Sequence, residues 1–203
     1  MKNVFITTTL LVTLLFPGTS AWTQCTGVTD ERADYELYPE SRAIHQKKVD
    51  YAISVISDKQ YLSQNSNCVA KALIFLGQFH IEKAIPRMIE LLGYEDKVEN
   101  PLRGRTRNEE YPAIAGLAGM GKPAVPALLK ALDTSKGDAV VIDNVMYALM
   151  TIYVAHPGDA IQILQKAAAT QSDPLVATRL HDSILKAESI WCKDGSSCPS
   201  QPN

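Results

Sequence analysis

The chain has 203 residues, of which 46% are hydrophobic, and its 20 Lys and Arg against 22 Asp and Glu give a net charge of −2. This mildly acidic balance argues against general nucleic-acid binding, because neutralising phosphates requires a basic face. The length suits one domain with a continuous core.

The first 21 residues have the pattern of a signal peptide. Lys2 precedes an apolar run over 4–16, and small residues at 19–21 offer a cleavage site after Ala21. The run is shorter than the ~20 residues of a membrane span, although a retained signal anchor is the alternative. We therefore expect an exported chain, periplasmic or secreted, with no membrane span after cleavage and a charge of 19 − 22 = −3.

Residues 22–40 are polar and predict an extended N-terminal arm. A helical period of 3.6 residues begins at Ser41 and continues past a polar break predicted for 60–67. Gly77 is expected to end the next helix in the left-handed conformation. The stripes that carry this period are Val49, Ala52, Ile53 and Ile56, then Val69, Ala72, Leu73 and Leu76.

The rhythm is interrupted over 93–108 and resumes at about Glu109. Residues 119–121 predict a turn, 141–152 predict a long helix, and Pro157 predicts the start of another. Ser172 or Asp173 is expected to cap a last helix that begins at Pro174. No segment alternates with period two for long enough to indicate a strand, so the chain is predicted to be all-α.

Three nine-residue stretches, 84–92, 124–132 and 160–168, can be superposed, and a fainter copy starts at Lys48. The starts are offset by 36, 40 and 36 residues. Repetition at about 35–45 residues is typical of a helical solenoid. We predict an α-α superhelix of stacked antiparallel helix pairs over 41–190, followed by a Cys-flanked tail over 191–203.

Two segments resemble HEAT repeats, more narrowly the HEAT-like repeats named after phycobilisome lyases. In both, a helix ends in a Leu-Gly or Leu-Ala-Gly segment and Ala-Ile-Pro or Ala-Val-Pro follows, at 76–86 and at 117–128. The resemblance covers roughly 42–190. It implies an architecture and carries over no catalytic residue, because the motif positions of the family are structural.

The four cysteines, Cys25, Cys68, Cys192 and Cys198, lie beyond the signal peptide. An even number in an exported chain predicts two disulfides, for which three connectivities are possible. We favour Cys192–Cys198 and Cys25–Cys68. Zinc binding by these cysteines is the alternative interpretation, but no Cys-x-x-Cys pair or nearby His supports it.

No catalytic, metal or cofactor site is predicted. The spacing of Gly116, Gly121 and Lys122 matches a phosphate-binding loop, but Pro123 stands where Ser or Thr is needed and a helix precedes it. The four histidines are scattered, without ligand spacing. No Ser lies in a Gly-x-Ser-x-Gly motif.

A candidate partner site lies in the interruption between repeats. Arg103, Arg105 and Arg107 alternate shortly before Tyr111, and in an extended loop they would form one clamp for a carboxylate or phosphate. The alternative is a solvated loop in which they pair with Glu99, Glu109 and Glu110.

A second candidate is the inner face predicted along the second helices of the pairs. Its positions outside the apolar stripe include Arg87, Glu90, Lys130, Gln162 and Lys166. Stacking would turn such positions into a ladder for a peptide or another protein.

These features together favour a non-enzymatic scaffold that binds a protein or peptide of unknown identity. One alternative is a lyase-like or small-ligand-binding HEAT protein. The other is a purely structural envelope protein that needs no partner.

Overall fold

A computed structural model of the chain describes residues 39–97 and 105–192. Within these ranges the chain is helical and contains no strand, which confirms the all-α, repeat-like fold. No helix there is both long and apolar enough to cross a membrane. The helices are α1 (Pro39–Ser57), α2 (Lys59–Gln64), α3 (Ser66–Gln78), α4 (Ile85–Glu90), α5 (Arg107–Glu110), α6 (Pro112–Met120), α7 (Val125–Thr134), α8 (Ala139–Ile152), α9 (Pro157–Thr170) and α10 (Pro174–Trp191).

Local capping explains where several helices start. The Asp58, Asp138 and Asp173 carboxylates accept hydrogen bonds from backbone N–H groups in the first turns of α2, α8 and α10. Such caps satisfy donors that have no partner within the helix. The predicted cap at Asp173 is therefore confirmed. Proline occupies the first or second position of α4, α6, α7, α9 and α10, where its missing N–H costs nothing.

The helices form two rows around one core. In the first row α3, α6, α8 and α10 pack against one another in that order. In the second row α1 and α4 pack against α3 and α6, α7 packs against α8, and α9 packs against α8 and α10. The buried apolar residues form a single cluster that runs from α1 to α10. Such a shared core is what a stack of helix pairs requires.

Burial follows the sequence repeat. The stretches 84–92, 124–132 and 160–168 fall on α4, α7 and α9, all in the second row. The first and fifth residues of each stretch are at most 2% exposed. These residues are Ala84, Met88, Ala124, Leu128, Ala160 and Leu164. The repeated positions are therefore buried at equivalent places in successive helix pairs.

The backbones of two helices approach closely in the first row, where α3 meets α6. A Cβ atom added at Gly77 would lie 2.1 Å from the Gly116 carbonyl oxygen. One added at Gly116 would lie 2.7 Å from the Leu73 carbonyl oxygen, and one at Gly119 would lie 3.1 Å from the Gly77 carbonyl carbon. Only glycine allows the two backbones to come this close.

This contact corrects two sequence predictions. Gly77 lies inside α3, and the left-handed residue that follows the helix is His80, with φ 51°. Of the predicted turn over 119–121, only Gly121, with φ 71°, takes the left-handed conformation. Gly116 thus serves packing and Gly121 serves a turn, which accounts for both glycines of the phosphate-loop-like spacing.

Smaller differences concern boundaries. α1 begins at Pro39, two residues before the predicted start, and residues 22–38 lie outside the described ranges. The polar break predicted for 60–67 is wrong, because α2 and the start of α3 occupy it. Polar residues there mark the exposed surface of a short helix that Asp58 caps.

We predict that Gly77→Ala destabilises the protein by about 2 kcal/mol or more, because the new methyl group meets backbone atoms that cannot move aside independently. Helix propensity alone predicts the opposite sign, a gain of about 1 kcal/mol. Urea unfolding with intact disulfides measures the difference. Gly93→Ala is the control, since its nearest contact would be an ordinary 3.8 Å to the Val141 side chain. Equal stability of the two variants would contradict the prediction.

Candidate functional site

The described part of the predicted arginine loop, from Arg105 onward, is anchored within the fold. The Arg105 guanidinium pairs with the Asp96 carboxylate at 3.1 Å and also donates to the carbonyl oxygens of Asp96 and Glu109. The backbone N–H of Asp96 donates to the Glu110 carbonyl at 2.8 Å. Asp96 is only 8% exposed. Arg105 therefore ties the stem of the interruption together and is not aimed outward.

Arg107 lies on α5 and joins the interruption to the repeats. Its Nε donates to the Asn144 side-chain oxygen at 2.8 Å, and the Asn144 amide donates to the Leu92 carbonyl at 2.6 Å. Asn144 is fully buried on α8, and Leu92 lies just beyond α4. A buried amide with both groups satisfied holds elements together in one arrangement.

The same guanidinium group faces two aromatic rings. Its central carbon lies 4.3 Å from the ring centroid of Tyr111 and 5.9 Å from that of Tyr147, within cation–π range. Glu110 contributes a weak ion pair to Arg107 at 4.0 Å. Burial and the Glu110 charge raise the pKa of the Tyr111 hydroxyl. Tyr111 is thus a buried platform for Arg107, with little surface left for a partner.

The extended, alternating geometry expected of this loop does not hold for Arg105 and Arg107. Arg107 belongs to a helix, and each guanidinium has partners inside the fold. Arg103 and Glu99 lie outside the described residues. The alternative interpretation is a solvated loop in which the arginines pair with Glu99, Glu109 and Glu110. Arg107 does pair weakly with Glu110, whereas Arg105 pairs with Asp96 and donates to the backbone carbonyl of Glu109.

Two residues of the second candidate surface are also engaged. Arg87 on α4 donates from Nε to the Ile56 carbonyl at 2.9 Å, which satisfies a carbonyl in the last turn of α1. Its guanidinium also pairs with Glu90, three residues on. The Glu90 side chain remains 63% exposed. Arg87 therefore supports the contact between α1 and α4, and together with Glu90 it forms an ion pair without net charge.

Further along the second candidate surface, a groove of about 480 Å³ lies between α7 and α9. Lys130 and Lys166 line it, and each is the seventh residue of its repeat stretch. The prediction placed them on an inner face, and the structure places them at the rim of this groove. The groove lining consists of Leu129, Lys130, Leu132, Asp133, Ile163, Lys166, Ala167, Thr170 and Gln171.

The groove has an apolar floor and a polar closure. Leu132 is buried, while Leu129, Ile163 and Ala167 are partly exposed. The Gln171 side-chain amide donates to the Asp133 carboxylate at 3.2 Å and so joins the C-terminal ends of α7 and α9. Within the described residues, neither Lys130 nor Lys166 forms an ion pair or side-chain hydrogen bond. The arrangement offers apolar contact between two unpaired cations.

A polar cluster joins α8 and α10 beside a second cavity of about 320 Å³. The Ser183 hydroxyl donates to one oxygen of Asp143 at 2.6 Å, and Lys186 Nζ donates to the other at 2.9 Å. Lys186 Nζ also lies 5.6 Å from the Tyr147 ring centroid. Ser183 is 4% exposed. These contacts connect the last helix of the first row to the one before it.

The carboxylate of this cluster is held in its charged form. Burial alone would raise the pKa of Asp143, but the hydrogen bonds from Ser183 and Lys186 and the charges of Lys186 and Arg107 outweigh it and lower that pKa. A carboxylate with a lowered pKa is a poor base for a serine hydroxyl, since general bases work best near the operating pH. The contacts instead describe a structural link.

Sequence reasoning missed both Asn144 and this cluster. The available signal was a polar residue inside an apolar stripe, as Asn144 is among Ile142, Val145 and Met146 of α8. It also missed the floor of the groove. In the sequence, Leu129 and Ile163 look like any other apolar helix residues, and only the structure shows that they line one groove between α7 and α9.

The described residues include possible metal-ligating side chains and two of the four cysteines. Within the described ranges no group of three or more His, Cys, Asp or Glu side chains could hold a metal ion. Cys68 and Cys192 are both disulfide-bonded. Cys25 and Cys198 lie outside the described residues, so the connectivity stays a prediction.

Comparison of the chain with known protein families, with curated proteins and with solved structures found no match.

We predict that Asp143→Asn lowers the free energy of unfolding by about 1.5 kcal/mol near neutral pH, because a charged hydrogen-bonding partner is lost. The folded-state pKa lies below the ordinary value of 3.8, so this stability is present above that value and is lost as the pH falls through the folded pKa. The wild-type advantage in urea unfolding should therefore narrow below about pH 4.

Asp182→Asn is the matched control, since it removes an exposed carboxylate from the same cavity. It should change stability by less than about 0.5 kcal/mol. An Asp143→Asn deficit that stays constant down to about pH 2 would contradict the assignment of the lowered pKa to this carboxyl.

Proposed function

We propose that this chain is a non-enzymatic interaction module that is exported from the cytoplasm and holds a protein or peptide partner on its helical stack. The observation that carries the proposal is the groove between α7 and α9, where Leu129, Ile163 and Ala167 are partly exposed between Lys130 and Lys166. An apolar floor with a charged rim is the arrangement that protein partners use for affinity and orientation.

The repeat architecture supports this assignment. We propose that the chain is a small HEAT-like protein, because its paired helices, its prolines at helix starts and its period agree with that pattern. In stacked repeats, equivalent positions of successive pairs recur along one surface. Lys130 and Lys166 are such a pair, so the binding surface is built by the repeat itself.

A peptide fits this groove better than a small molecule does. A volume of about 480 Å³ lies within the range of small-ligand sites, but such sites bury most of their ligand. Here only Leu132 of the lining is buried. A shallow surface of this kind suits a partner that continues beyond the groove and gains further contacts along the stack.

The proposal is tested by placing a photo-crosslinking amino acid at Ile163 in the full chain, produced with its export sequence in its native cell. Lys71, which is exposed on α3, is the control position. We expect a discrete adduct from the Ile163 label and none from the Lys71 label, with the adduct lost when Ala167→Trp fills the groove.

Cell fractionation in the same experiment locates the adduct, which we expect in the envelope or the medium. Adducts of the same mass and yield from both positions would show that the groove has no special role. The absence of any adduct at Ile163, with the chain exported and folded, would favour the purely structural alternative.

A further inference from the structure

We infer that the groove between α7 and α9 takes an extended peptide segment in which an apolar side chain lies between two carboxylates. This inference rests on the proposed function and adds the chemistry of the partner. Its basis is charge: two lysines line the groove against a single carboxylate, Asp133, to which Gln171 already donates. A groove with this excess of cations selects an anionic partner even though the whole chain has a net charge of −2.

The apolar floor excludes a purely ionic ligand. Leu129, Ile163 and Ala167 expose apolar surface in the groove, and removing such surface from water favours binding. A free phosphate or a nucleic-acid backbone would leave that floor uncovered. A peptide with one Leu-like side chain covers it and also supplies carboxylates to both lysines.

The placement of the two lysines on different helices favours an extended segment. Lys130 lies on α7 and Lys166 lies on α9, and the apolar side chains of Leu129, Ile163 and Ala167 line the same groove. In an extended peptide, residues at alternate positions share one face, and four residues span about 13 Å. Carboxylates at positions one and five then reach Lys130 and Lys166 while the residue at position three enters the groove.

The test uses three synthetic peptides and the purified full chain with its disulfides intact. The acidic probe is Glu-Ser-Leu-Ser-Glu with blocked ends, the basic probe is Lys-Ser-Leu-Ser-Lys, and the third, Glu-Ser-Ser-Ser-Glu, lacks the apolar residue. Amide chemical shifts in NMR titrations report affinity and location together. We expect the acidic probe to shift amides of α7 and α9, to bind at least about tenfold more tightly than either other peptide, and to weaken with salt.

Charge reversal provides the decisive comparison. The double variant Lys130→Glu with Lys166→Glu should weaken the acidic probe at least about tenfold and strengthen the basic probe, because the complementarity is inverted. The control variant, Lys47→Glu with Lys59→Glu, makes the same change of charge at exposed positions of α1 and α2 and should alter neither affinity. A circular dichroism spectrum confirms that both variants are folded.

Three results would overturn the inference. They are equal affinity for the acidic and basic probes, shifts outside α7 and α9, and self-association of the chain through the groove in sedimentation that the double lysine variant abolishes. The experiments distinguish failure of the partner chemistry from failure of the proposed function. A partner captured at Ile163 without binding of the acidic probe would refute only the partner chemistry, whereas probe binding without a captured partner would refute only the proposed function.

Discussion

The backbone contact between α3 and α6 is the constraint on which the rest of the stack depends. At Gly77, Gly116 and Gly119 the two helices approach so closely that a methyl group would overlap backbone atoms. This contact fixes the distance and angle between the first two helix pairs. The pairs built on α8 and α10 continue the same row, and the shared apolar core follows from that registry.

The described ends of the interruption between repeats are tied to the stack by polar contacts. Arg105 closes its stem onto Asp96, and Arg107 fastens α5 to Asn144 and Tyr111. Arg105 and Arg107, which the sequence suggests as partner-binding residues, therefore form contacts within the fold instead. Lys130 and Lys166 of the second row line the groove to which we assign the proposed binding.

The period of the sequence predicts most of the fold, and tertiary contacts decide the rest. Apolar positions such as Met88, Leu128 and Leu164 repeat at equivalent places, so helices and their buried faces can be predicted from spacing alone. Gly77 shows the limit, because a glycine near a helix end looks the same whether it serves a left-handed turn or a helix crossing. Arg105 shows it again, because its sequence neighbours do not reveal its partner, and only the position of Asp96 in the fold shows that this cation is anchored.

Hydrogen exchange of the native protein tests the central claim most directly, because protection reports local opening of each helix. If the glycine crossing organises the stack, the slowest-exchanging amides lie in α3 and α6, and protection falls along the first row toward α10. Maximal protection in α9 and α10, with α3 and α6 exchanging early, would contradict the account.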